Sequence, residues 1–178
     1  MTDTELETAT GVTVCSLKRD SEVHGPQVIP PGPYTILRFP FGAAESYDRW
    51  TMHQAIQPDG YTVTDWEEDP RSGLIWPARA GWGELHAMIQ WESGDYVELR
   101  DQYIRDPLSL GPVEETRANS TATEHRPKSV GMQCLVKGSH GIFVRPDTPL
   151  AVRVAHDGSK SRAVTFAEFK LVIHHVAD

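Results

Sequence analysis

Histidine, carboxylate, tryptophan and cysteine are the side chains here with chemistry to offer, and their spacing decides what is usable. Eight histidines could supply a transition-metal site, which needs several donors converging on one ion. No HxH, HExxH or CxxC spacing gathers them. His174 and His175 are adjacent in a strand-like run, so they face opposite ways and do not chelate one ion. Three copies of His86 about a threefold axis would make a shared site, but a surface or interface histidine is the simpler reading. Glu67, Glu68 and Asp69 form a carboxylate cluster suited to a hard cation. They lack the spacing of a calcium loop and read as a solvated turn. Trp50, Trp66, Trp76, Trp82 and Trp91 could build a sugar-stacking platform, with Trp50 and Trp66 as the candidate glycan contacts. Tryptophans at alternate positions of apolar runs more often fill cores and interfaces. Cys15 and Cys134 have no local histidine partner; a disulfide between them stays open, but free, small, buried side chains are the favoured reading. No nucleophile elbow or phosphate loop occurs. A carboxylate pair for glycoside hydrolysis stays open, since its members can come from distant strands. The residues nominate no catalytic group, cofactor or metal ligand.

Composition narrows the rest. A chain of 178 residues with 39% hydrophobic and 24% charged residues can bury a core without staples. The formal net charge of -8 argues against a nucleic-acid face, which needs clustered lysine and arginine. No apolar run approaches the roughly 18 residues that cross a bilayer. The acidic start MTDTELETAT has no basic head or apolar stretch, so no signal peptide is expected. With 13 prolines and 14 glycines punctuating short runs, strands are favoured over helices.

The elements that must position any site are organised around residues 76–91, WPARAGWGELHAMIQW. Leu85, Ala87, Ile89 and Trp91 alternate on one face, as a strand facing a core does. Trp82, Glu84, His86, Met88 and Gln90 occupy the other. That second face is mixed rather than charged, so Trp82, His86, Met88 and the nearby Tyr96 are the expected subunit contacts. Ser93-Gly94-Asp95 predicts a hairpin joining 84–91 to 96–103. Further strands are expected over 34–39, 50–56, 61–66, 129–136, 141–145, 150–156 and 163–176, and a long exposed loop with one edge strand over 106–128. Leu85, Ile89, Phe169 and Leu171 should lie inside. Residues 1–33 read as a flexible tail and a Pro/Gly-rich arm, and residues 34–178 as the folded domain. Val12, Val14, Leu17, Val28 and Ile29 would anchor that arm to a partner.

About ten strands, short connections and little helix point to an all-β sandwich. The passage Gly73-Leu74-Ile75-Trp76 followed by Pro77-Ala78-Arg79-Ala80-Gly81-Trp82-Gly83-Glu84-Leu85 resembles the jelly rolls of the tumour-necrosis-factor and complement globular-head domains. So do the strand after Pro146-Asp147 and the long last strand. With an acidic tail and a Pro-rich arm in front, the chain is similar to virion structural proteins of tailed actinobacterial phages, such as minor tail, fibre or head-decoration proteins. The resemblance implies a jelly-roll homotrimer without catalytic activity or cofactor, made in the host cytoplasm. It also implies attachment through the arm to capsid or tail proteins of the virion. Two rival readings are a carbohydrate-binding module for host adsorption and a cupin-like enzyme.

Overall fold

The computed structural model describes residues 11–112, 119–138 and 141–175, with the backbone alone over 119–125. Ten strands follow in order: β1 (Val12–Asp20), β2 (Gln27–Ile29), β3 (Thr35–Ile36), β4 (Gly81–Tyr96), β5 (Leu99–Arg105), β6 (Asn119–Arg126), β7 (Ser129–Gly138), β8 (Ile142–Val144), β9 (Leu150–His156) and β10 (Arg162–His174). They form two antiparallel sheets. Sheet A runs β1-β10-β4-β7, with β2 added to β10 and β8 to β4, and sheet B runs β3-β9-β5-β6. Leaving out the two short additions and renumbering, the sheets read 1-8-3-6 and 2-7-4-5. That is the strand order of a jelly roll.

The alternation of β4 and β10 builds the core between the sheets. Leu85, Ile89 and Trp91 face inward from β4, and Ala87 fills the remaining position. Ala167, Phe169, Leu171 and Ile173 face inward from β10, directly paired with the β4 row. Phe169 stacks between Phe39 and Tyr103, with ring centroids 6.4 and 6.1 Å away. A second apolar cluster covers the outer side of sheet B, where Leu74, Trp76, Ile104 and Ala151 pack with Ile36, Leu108 and Leu110. Glycine at 73 is required there, because a Cβ would stand 2.2 Å from the Leu37 carbonyl oxygen.

Three expectations change. The hairpin is absent: β4 continues through Ser93-Gly94-Asp95, and β5 crosses to the other sheet, between β9 and β6. Between the pairs Trp91↔Gln133 and Gly94↔Gly131, two residues of β4, Glu92 and Ser93, oppose one of β7, Met132, a bulge that carries the chain straight on instead of turning it. The arm is also different in its described part. β1 pairs with β10 from Val12↔His174 to Asp20↔Phe166, and β2 adds to the same strand, so the sandwich begins at residue 12 rather than 34. Polar wiring makes this hold. Buried Gln27 donates to the Ile36 carbonyl (2.9 Å) and accepts from the Arg38 N–H (2.9 Å), and the Arg19 guanidinium donates to the Gly25 carbonyl (3.1 Å). Residues 1–10 lie outside the described residues. The expected strands over 50–56 and 61–66 reduce to one bridge, Ile56↔Thr62, around Pro58-Asp59-Gly60. The edge strand expected within 106–128 is β6, which pairs along the whole of β5 at one edge of sheet B.

A fully buried ion pair sits between the sheets. Lys137 of β7 reaches Asp101 of β5, Nζ to Oδ1 2.9 Å, with side chains 1% and 0% exposed.

Candidate interaction face

The outer side of sheet A carries the apolar surface that sheet B covers on its own outer side. Trp82, His86 and Met88 project from β4, as expected for a contact face, and β7 adds Met132, Cys134 and Val136. The cross-strand register makes pairs of them: Met88 lies opposite Val136, and Trp82 opposite Phe143 of β8. Trp82 is 48% exposed, Met132 60% and Val136 71%. Such residues, contiguous on one sheet, exceed the scattered apolar exposure of an ordinary surface. Gly141, with φ of 107°, lets the Trp82 indole lie down, since a Cβ there would stand 2.3 Å from its Nε1. The sequence carried the β7 contribution too: Val130, Met132, Cys134 and Val136 alternate in the run from 129 to 136.

Charge is confined to the β10 side of this face. Glu84 stands between His174, 3.3 Å from Nε2, and His86, 3.8 Å from Nε2. Lys170 pairs with Glu168 at 3.0 Å. Between these groups and the apolar rows runs a shallow groove of about 230 Å³, lined by His86, Met88, Val136, Glu168 and Lys170. His174 and His175 do face opposite ways. Arg79 donates to Nδ1 of His175 (3.2 Å), which leaves its Nε2–H for the Thr13 hydroxyl (2.9 Å). Burial and then the Arg79 charge hold the His175 pKa below its ordinary value. No cluster of three or more metal-ligating side chains occurs among the described residues.

Tyr96 is not on the face. It is 2% exposed, sets its ring edge-on to Trp91 at 5.9 Å and donates its hydroxyl to the Glu92 carbonyl. The extra residue of the bulge reverses the alternation, so a position that would point outward points inward. The arm anchors divide similarly. Leu17 and Ile29 are core residues, Val12 and Val14 are half-buried, and Val28 is exposed. The two glycan candidates have partners within the chain. Trp50 packs on the core and meets Tyr47 edge-on at 6.1 Å. Trp66 lies under the Arg19 guanidinium at 5.0 Å and edge-on to His24. Cys15 is buried on the inner side of β1 and Cys134 is exposed on the outer side of β7, so they do not pair, and the expectation that both are buried fails for Cys134. Burial raises the Cys15 thiol far above its ordinary pKa, which removes it as a nucleophile.

No family model and no curated protein matches the chain. Among solved structures, the Eiger tumour necrosis factor from S. frugiperda is similar, with a TM-score of 0.47 and 11% sequence identity. The match covers 94% of this chain and 96% of that one. No helix among the described residues is long and apolar enough to cross a membrane.

Proposed function

We propose that this chain is a non-enzymatic structural subunit of a phage particle, working as a homotrimer that meets across the outer side of sheet A. The observation that carries the assembly is the pair of exposed rows, Trp82 and Met88 on β4 with Met132 and Val136 on β7. A second copy of the same surface removes them from water, and closed symmetry does so without leaving a growing end. The virion setting rests on the resemblance of the chain's form, an acidic tail and a Pro-rich arm before a jelly roll, to virion structural proteins of tailed phages. Attachment to the capsid or tail cannot use Leu17 or Ile29, which are core residues. It falls to the exposed Val23 and Val28, where Val23 lines a groove of about 170 Å³ with Lys18, His24 and Glu45.

Light scattering on the purified protein tests the assembly. The expected mass is three chains, and Met88→Lys combined with Val136→Glu should give a monomer with an unchanged all-β circular-dichroism spectrum. A stable wild-type monomer at micromolar concentration would sink the trimer. Mass spectrometry of purified particles tests the setting, and absence of the chain from them would overturn it.

A further inference from the structure

The buried ion pair is placed to become a covalent bond. Lys137 points inward because β7 alternates, and its direct partner on β4 is Ala87, whose small side chain leaves room for the amine. Its backbone is held by the Tyr103 hydroxyl, which donates to the Lys137 carbonyl at 2.8 Å. The Tyr103 ring stands 5.3 Å from Nζ, and Phe169 stacks against that ring at 6.1 Å. Asp101 is two residues before Tyr103 on β5 and so shares its inward face. Nζ and Oδ1 are 2.9 Å apart, which puts Cγ one bond further on. The surface pair of Arg71 and Asp59, by contrast, keeps 16% and 30% exposure.

We propose that Lys137 Nζ and Asp101 Cγ form an intramolecular isopeptide bond, a self-made link between the two sheets. Proton transfer from the ammonium to the carboxylate gives an amine and a carboxylic acid. The nitrogen lone pair attacks Cγ, the bond from Cγ to the protonated oxygen breaks, and that oxygen leaves as water with a second nitrogen proton. One proton stays on the amide nitrogen. No oxidant, cofactor or leaving group from outside is needed. Two features of the site drive the step. Fixed proximity replaces a bimolecular encounter, and an amide relieves the cost of keeping two charges out of water. Exclusion of solvent protects the product from hydrolysis. Among the described residues the bond would close the loop that contains β6, and so restrict the unfolded chain as a disulfide does.

Intact mass spectrometry of the full chain in denaturant tests this. The expected mass is one water below that of the sequence, and tryptic digestion should yield a branched peptide joining Lys137 to Asp101. Lys137→Met should have the mass of its own sequence. Asp101→Asn should release ammonia instead of water and yield the same branched peptide as the wild type. A wild-type chain at full sequence mass, with both peptides linear, would overturn the proposal. That measurement decides it even if a variant fails to fold.

Discussion

At the scale of residues, Phe169 and His53 show how burial sets behaviour. Phe169 is fully buried between Phe39 and Tyr103. Phe169→Ala should cost about 3–5 kcal/mol, from lost transfer energy and the cavity left behind. Urea unfolding measures it, and a change under about 1 kcal/mol would mean that the site collapses freely. His53 is buried, stacks on Phe41 at 4.6 Å and donates Nε2–H to the Ser72 carbonyl at 2.7 Å. Burial lowers its pKa below the ordinary 6.5, outweighing the Ser72 bond and the Asp48 charge, which both raise it. The unfolded chain therefore takes up this proton at higher pH than the folded one. The stability tied to His53 is complete above that ordinary value and is lost as pH falls through the lower, folded one. Unfolding free energies measured at a series of pH values below the ordinary 6.5 should fall more steeply with pH in the wild type than in His53→Gln.

At the scale of elements, β1 decides whether the N-terminal part is an accessory. Residues Thr13, Cys15, Leu17 and Arg19 face inward, and β1 covers one edge of β10. A chain beginning at Tyr34 should therefore be insoluble or unfolded, whereas removing residues 1–10 should leave the circular-dichroism spectrum and melting curve unchanged. Recovery of a soluble, cooperatively melting protein from Tyr34 onward would refute this role. The sequence is legible where apolar and polar residues alternate cleanly: the inward rows of β4 and β10 and the outward Trp82, His86 and Met88 all follow from period two. It is misleading where the alternation is inverted. In β1 the apolar Val12 and Val14 are the outward residues, while Thr13 meets His175 and Arg19 lies over Trp66, both far along the chain. Ser93-Gly94 is ambiguous locally, because a glycine serves a bulge as well as a turn, and only the register of β7 distinguishes them. The ion pair of Lys137 and Asp101 was invisible, since their proximity depends on which sheet each strand joins.

At the scale of the whole molecule, the described residues cover one outer surface and leave the other apolar. That asymmetry makes self-association the natural completion of the fold. An apolar contact of this kind should resist added salt, so the mass of the proposed trimer should be the same at low and high ionic strength in light scattering. The pairing of β1 with β10 has a further consequence, in time rather than space. The strand flanked by β1 and β4 in sheet A is synthesised after every other strand of the sandwich. Until residues 162–174 leave the ribosome, the strands made first have no partner in that lane, and contacts of such sequence separation form slowly. Nascent chains stalled after Ser161 should therefore stay open to protease, and those with β10 fully emerged should become resistant. A sandwich built this way commits to its fold only when its latest-made strand emerges, and until then its unpaired edges are open to aggregation.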